Sequence, residues 1–495
     1  MRPYFTKRQL ALSLAAALFA VGSPMAMGQD INDVDEEAED EKVVLDTIVV
    51  VGGRTEQNIQ DVAGSVSVMT SKNIEDQMVS DMSQLFQYEP GIEITGSNGT
   101  AQNFIVRGMG ADRVMMIKDG MRMNEGYGAN GANDVVGRGF IDVDTIKQVE
   151  VAKGAASSLY GADALGGIVA FATKDASDVM GDGENYYFSV NGDYDGRADE
   201  VAAGFMTAFR VGSWESLISY KGRWGHETQN FTEERDEADV DSNSILAKTD
   251  YIIDIDKKLT FSIDYYKQEV DRPDDGSDKG DYFGLPGWKI NSEEIYNEKE
   301  NTSFQARYRD MNSGWGFLDN LDANLYYNET DQTDEFYLNH DTPPPFGTGG
   351  YRETVKSDLF SQETWGLSTS ASKVFGEAHQ LSYGFDWDTT DSYRPRMETR
   401  TQSDGTVILE DLSAPFPRNT TERLGIYLQD TIQLTEKWSL IPGVRYDYYK
   451  MTPKADEGYD NANPGGDTEP EKISDDNVSW RLGTMYDFTD NFSAY

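Results

Sequence analysis

The sequence predicts an antiparallel transmembrane β-barrel preceded by a small α+β domain, and three observations carry that prediction. A secretory leader opens the chain: Lys7 and Arg8 precede the apolar run Leu10 to Val21, and Ala26-Met27-Gly28 supplies the small residues a signal peptidase reads. From about residue 184 the chain alternates apolar and polar residues with period 2. The connections between these alternating segments are long and very short by turns, as in a barrel with long outer loops and tight periplasmic turns. No stretch after the leader approaches the roughly 18 apolar residues of a membrane helix.

Composition narrows the function classes. The 495 residues carry 43 Lys+Arg against 87 Asp+Glu, a net charge of −44, which argues against a nucleic-acid partner because a phosphate backbone calls for a basic surface. Aromatics at 12% are too many for a disordered acidic chain. The absence of Cys excludes disulfides, thiolate catalysis and Cys-ligated metals, and three His leave little material for a histidine-built metal site.

In chain order, residues 1–28 are the signal peptide, and residues 29–55 are an acidic tail that ends in a β-branched box. That box is Val43 to Val51, followed by Gly52-Gly53. Such a run can add as a strand to another protein's sheet edge or serve as the first strand of the next domain, and residue types alone do not choose. Residues 56–175 form the α+β unit. Val66 to Met69 reads as a strand, and Ile74, Met78, Met82, Leu85 and Phe86 give helical spacing over 71–88, closed by Pro90-Gly91. Two apolar runs, Phe104 to Val106 and Val114 to Met123, follow; the second is broken by Asp119-Gly120, a tight hairpin signal.

Residues 184–495 are the barrel part. One parity is apolar in Tyr186, Phe188 and Val190, in Phe261 and Ile263, in Trp387, and in Trp480, Leu482 and Tyr486. About thirteen such strands are readable. Long connections fall near 227–244, 269–300, 331–357, 392–420 and 451–477, and short ones near 211–213, 257, 312–317, 374–378, 435–437 and 489–490. An odd strand count does not close a bacterial barrel, and Ser493, Asn491 and Thr489 are polar on the parity of Tyr495, so the sequence reads as an N-terminal fragment.

A leader, an isolated apolar box, a domain of about 120 residues and then barrel strands resemble the TonB-dependent outer-membrane receptors. The matches are Leu45-Asp46-Thr47-Ile48-Val49-Val50-Val51, Phe104-Ile105-Val106-Arg107-Gly108, Ile117-Lys118-Asp119-Gly120, the run from Ile146 to Gly161, and Ala164 to Val169. The resemblance implies a plug domain inside the lumen of a 22-stranded barrel in the outer membrane of a Gram-negative bacterium. It also implies that the box 45–52 pairs as a strand with the periplasmic TonB energy transducer and its inner-membrane complex, which decides between the two readings of the box. Ser392 to Thr401, Ala414 to Pro417, Gly425 to Asp430 and Pro442 to Pro453 look like the haem and haemoglobin branch of that family.

The implied activity is energy-coupled uptake of an iron source, with haem or haemoglobin-derived haem first, ferric siderophore second and cobalamin as a further alternative. Haem would be cargo, and no resident cofactor or metal is expected. A passive porin or adhesin is the competing class, separated by the box and plug that a porin does not need. Residues 29–180 contain no His, so a plug His as haem ligand is not on offer. Candidate ligand contacts are His226 and His340, which strand parity places toward the extracellular side, and Tyr127 and Asn130 in the Gly-rich stretch 126–131. His379 falls in a periplasmic turn and is set aside. The stretch Gly126 to Gly131 matches G-x-G-x-x-G without the βαβ context that dinucleotide binding needs. The acidic stretches 271–281 and 456–476 lack EF-hand spacing, and no hydrolase, Walker or zincin motif is present, so no enzyme is expected.

Overall fold

The computed structural model describes residues 48–49, 54, 57–110, 113–123, 138–154, 156–161, 163–228, 238–272, 284–344, 347, 349–464, 470–489 and 492–495. The leader, the acidic tail, most of the box, Tyr127 and Asn130 lie outside the described residues.

The first part of the chain builds nine short strands: β1 (Ile48–Val49), β2 (Gln57–Asn58), β3 (Ser65–Thr70), β4 (Ile92–Thr95), β5 (Asn103–Val106), β6 (Val114–Lys118), β7 (Met121–Arg122), β8 (Ile146–Lys153) and β9 (Gly167–Thr173). Short helices α1 (Ser71–Asp76), α2 (Ser157–Tyr160) and α3 (Ala176–Val179) interrupt them. Five strands form one sheet in the order β3-β8-β9-β6-β7, with β6 parallel to β9 and the other pairs antiparallel. Its core joins Ile74, Met82, Phe104, Val149 and Phe171, all nearly inaccessible. Between β6 and β7, Asp119 and Gly120 both take positive φ (49° and 82°), the type I′ geometry that the Asp-Gly pair predicts.

The helix expected over 71–88 is a single six-residue turn instead. Thr70 caps α1 through a capping box with Asn73. Met78 then turns left-handed (φ 50°), with Met78 N donating to Glu75 O and Val79 N to Ile74 O, a Schellman ending built on a non-glycine. A one-turn 3-10 helix, Met82–Gln84, follows. Ile74, Met82, Leu85 and Phe86 are still buried, so the apolar spacing reports the core correctly while the backbone between them is not helical.

The rest of the chain is one large sheet: β10 (Tyr186–Asp195), β11 (Glu200–Val211), β12 (Trp214–His226), β13 (Asp239–Asp254), β14 (Lys257–Arg272), β15 (Ile290–Asp310), β16 (Asn320–Asp341), β17 (Tyr351–Phe375), β18 (His379–Tyr393), β19 (Arg396–Gln402), β20 (Val407–Ser413), β21 (Arg418–Thr435), β22 (Trp438–Lys454), β23 (Ile473–Thr489) and β24 (Phe492–Ala494). Thirteen of these pair antiparallel in line, and the β19–β20 hairpin attaches to the side of β17. A helix α4 (Glu457–Ala462) sits between β22 and β23. Phe188, Phe261, Ile263, Leu325, Trp365 and Trp387 are exposed on the outer face, while Lys221, Lys248, Asp264 and Arg445 on the other parity are buried inside.

The connections differ from expectation on the loop side. β16 runs to Asp341 and β17 starts at Tyr351, with those two residues paired, so much of 331–357 is ladder rather than loop. The same holds for 392–420, which contains the β19–β20 hairpin. At 22 and 25 residues, β16 and β17 are far longer than the roughly 9–11 residues that cross a membrane, and their far halves project beyond it as a paired arm.

Several large inward side chains lie over a glycine on the neighbouring strand. A Cβ on Gly384 would meet Thr369 O and, at 2.6 Å, the Tyr427 ring, whereas one on Gly316 meets nothing within 4 Å. Gly384→Val is therefore expected to destabilise the barrel by about 1–3 kcal/mol through overpacking, with Gly316→Ala near wild type. Thermal unfolding followed by the gel-mobility shift of the heated barrel is the check.

Candidate functional site

The plug sits in the lumen, and its contacts with the wall combine ion pairs with apolar patches such as Phe140 against Phe360. On the β12–β14 side, the acidic turn before β8 meets basic wall residues: Arg223 reaches Asp144 at 2.7 Å, Asp142 at 3.3 Å and Glu200 at 3.3 Å, and Lys221 reaches Asp144 at 3.0 Å. Lys118 from β6 pairs with Asp264 at 2.7 Å. Asp175, which precedes α3, is held by Lys248 at 2.9 Å and Lys258 at 3.2 Å. Burial would raise the carboxyls of Asp144 and Asp175, but Arg223 and Lys221 in the first case, and Lys248 and Lys258 in the second, outweigh it and hold both below the usual carboxylate range.

The β17–β22 side is organised around one plug residue. Arg54, between the box and the plug body, is buried against the wall: its guanidinium pairs with Asp386 on β18 at 2.7 Å. The guanidinium also lies over Tyr160 of α2 at 4.4 Å and over Tyr427 of β21 at 4.7 Å. Ser370 on β17 donates to Arg54 O. Asp386 is shared with Arg445 at 2.9 Å, and Arg445 also binds Asp447 at 2.7 Å and Leu159 O at 2.9 Å. Beside this cluster a cavity of about 270 Å³ separates plug from wall, lined by Arg54, Tyr160, Arg122, Asn324, Tyr326 and Asp388 among others.

Upstream of Arg54, Ile48 and Val49 form β1 and pair antiparallel with Asn58 and Gln57 of β2. Val49 is fully buried, Ile48 is about half exposed, and Gln148 Nε2 donates to Ile48 O at 2.9 Å. The central residues of the expected transducer-binding box thus already form a strand against the plug. Leu45, Asp46, Thr47, Val50 and Val51 lie outside the described residues.

The candidate histidines are not brought together. His226 ends β12 on the parity of Ile218 and Tyr220, opposite to the plug-facing Lys221 and Arg223, with Nδ1 3.2 Å from Asp239 Oδ1. That parity points to the outer face, so a lumen ligand is out of its reach. His340, at the far end of β16, is buried on the inward parity and stacks on Trp288 at 5.7 Å. Its Nδ1 donates to Asp341 O at 3.0 Å, which in the neutral ring puts the lone pair on Nε2. His379 begins β18 beside a tight turn and contacts Asp430 at 2.7 Å, on the periplasmic side as expected. Sequence reasoning missed Arg54, Asp386 and Arg445. The available signal was the charged inward parity of β18 and β22, together with a basic residue directly after the box.

The model of the TonB-dependent receptor plug domain matches residues 58–168, and that of the TonB-dependent receptor-like β-barrel matches residues 247–495. The chain is 24% identical over 462 residues to a hemin receptor of Yersinia pestis, covering 90% of this chain and 59% of that one. It is 32% identical over 197 residues to a probable hemoglobin and hemoglobin-haptoglobin-binding protein of Haemophilus influenzae, 38% of this chain and 18% of that one. The FrpB iron transporter from Neisseria meningitidis superposes with a TM-score of 0.66 at 20% identity, covering 87% of this chain and 64% of that one. The chain spans less than two thirds of the length of each of these relatives.

Arg223 neutralises the buried carboxylates of Asp142 and Glu200 and the half-buried one of Asp144. Arg223→Met is expected to cost about 3–5 kcal/mol of plug docking, because it strands Asp142 and Glu200 without a cation. Hydrogen exchange of β8 amides, faster in the variant than in wild type, is the check.

Proposed function

We propose that this chain, which belongs to the TonB-dependent receptor family, takes up an iron source across the outer membrane by energy-coupled displacement of its plug. Residues 1–28 serve as the export signal, 29–55 as the tail bearing the box, 56–175 as the plug and 184–495 as barrel. The observation that carries the coupling mechanism is the short path from box to wall: β1 lies a few residues from Arg54, and Arg54 is fastened to Asp386. Tension on the box first loads β1 with its Gln148 bond and then that ion pair.

The box offers main-chain groups to the transducer, and Val49 must leave its buried place against the plug for an incoming strand to use its whole ladder. Withdrawal of Arg54 does not strand Asp386, which keeps Arg445 as a partner. It does remove the cation between Tyr160 and Tyr427, at the edge of the existing cavity. The opening therefore begins beside β17–β22, while the ion pairs to β12–β14 retain the other side of the plug.

Haem or haemoglobin-derived haem is the preferred cargo, supported by the overlap with a hemin receptor along most of this chain and by the hemoglobin-binding relative. His340, inward and flanked by Trp288, is the described candidate for the iron, and Tyr127 and Asn130 remain candidates on the plug. Ferric siderophore is the second reading, favoured by the structural likeness to an iron transporter.

Deleting Asp46 to Val51 is expected to abolish uptake of haem iron and leave haemin binding unchanged; uptake by the deletion variant would overturn energy coupling through the box. A second expectation exploits the Cys-free chain. A Val49→Cys probe should react with a maleimide about tenfold faster when Arg54→Ala is added, because each 1.4 kcal/mol lost from the docked state raises the undocked population tenfold. An equal labelling rate would remove Arg54 as the fastening point.

A further inference from the structure

The inner wall changes character with height. At the level of the plug sheet many inward side chains are ion-paired, but further from the periplasmic turns a group of uncharged ones follows: Gln268, Asn301, Thr330, Gln332, Gln362 and Thr390 are all buried there. These groups bond among themselves and their neighbours, as when Asn301 Nδ2 donates to Thr330 Oγ1 at 2.8 Å and Gln362 Nε2 to Ser392 Oγ at 3.0 Å. Arg423, which donates to Thr390 Oγ1 at 3.4 Å, is paired with Asp388, whereas one buried lysine among the described residues stands here without such a partner. Lys299 on β15 lies directly across from Gln268 on β14 and Gln332 on β16.

Lys299 is only 8% exposed, and among the described residues it stands in no ion pair. Its one hydrogen bond is a long one, 3.4 Å to Thr100 O near the top of the plug. The carboxylate of Asp334, one step higher on the wall, is occupied by Asn297 Nδ2 at 2.7 Å and by Gln332 Nε2 at 2.7 and 2.8 Å. Opposite Lys299, Gln332 Oε1 is buried and accepts no bond. The contrast with the other buried lysines is sharp, since Lys118, Lys221 and Lys248 each hold a carboxylate. An ammonium out of water without a counter-charge is costly, and a wall that needed only to hold the plug would be better served by an amide at this position.

We propose that Lys299 is the anion-binding residue of the ligand passage: its ammonium receives a carboxylate of the iron-bearing ligand, the counter-charge that the fold withholds, with Gln332 Oε1 accepting from a donor on the same ligand. This rests on the uptake reading and names the ligand chemistry that reading needs, an acidic iron carrier such as a haem propionate or an iron–polycarboxylate chelate. A neutral carrier gains nothing from Lys299.

The test uses the full-length receptor in detergent as wild type, Lys299→Met and Lys299→Arg, with haemin, haemin dimethyl ester and ferric citrate as probes. Lys299→Met is expected to weaken haemin binding at least about tenfold, Lys299→Arg to restore it, and the diester to bind all three alike. Loss confined to ferric citrate would assign the carboxylate to a chelate rather than to haem. A ligand-independent arm compares melting of the apo proteins: Lys299→Met should melt higher than wild type, because it removes an uncompensated charge. Unchanged haemin and citrate binding, equal losses for haemin and its diester, or a lower melting temperature in Lys299→Met would overturn the proposal, the last by making Lys299 an anchor for Thr100. If wild type binds none of the probes, the assignment of Lys299 to a carboxylate of haem or of a polycarboxylate chelate is overturned and the haem reading fails with it, while the melting comparison still decides whether Lys299 is an unsatisfied cation.

Discussion

The rest of the structure depends on the period-2 commitment of the wall. Each membrane strand gives one face to lipid, so Phe261, Ile263 and Trp387 point out and most inward positions are left to polar residues. A plug that fills such a lumen is not held by apolar packing alone. It is held largely by ion pairs and hydrogen bonds, in which Asp142, Asp144 and Asp175 of the plug face Arg223, Lys221 and Lys248 of the wall, beside small apolar patches such as Phe140 against Phe360. Each half of such an interface can be resolvated when it parts, which suits a domain that must be fixed at rest and displaced under load.

The fastening is uneven around the circumference. Facing β12–β14 the contacts are many and mutually supporting, with Lys248 and Lys258 sharing Asp175 and Arg223 shared among three carboxylates. Facing β17–β22 they converge on Asp386, whose two guanidinium partners come from opposite sides of the interface: Arg54 from the plug and Arg445 from the wall. Such sharing lets one partner leave without exposing a buried charge. The position of Arg54 next to β1 makes it the partner that a pull at the N-terminus removes first.

Much of this was legible in the sequence, and the failures have physical causes. The strands were readable because lipid imposes alternation, and the short turns because Gly and Asp mark them, as at Asp119-Gly120. The far halves of β16 and β17 were read as loop because beyond the membrane both faces are polar and the period-2 signal vanishes, although the ladder continues. The expected helix over 71–88 failed because Met78 adopts a left-handed conformation with no Gly or Asn to announce it. Arg54 with Asp386 was invisible for a different reason: the two residues are 332 positions apart, and neither the box nor strand parity says which inward acid meets which plug cation.

The two inward groups singled out above the plug, His340 and Lys299, illustrate how burial and partnership separate roles that residue type alone confuses. His340 has a ring partner in Trp288 and a carbonyl partner in Asp341, so its orientation is fixed by the fold whether or not a ligand arrives. Lys299 has a single long bond, and its electrostatic neighbour Asp334 is already committed to two amides. A ring so oriented is compatible with a structural role and with a ligand role alike. A side chain whose charge the surrounding wall declines to answer, where among the described residues the other buried lysines each hold a carboxylate, directs attention to what passes through that lumen.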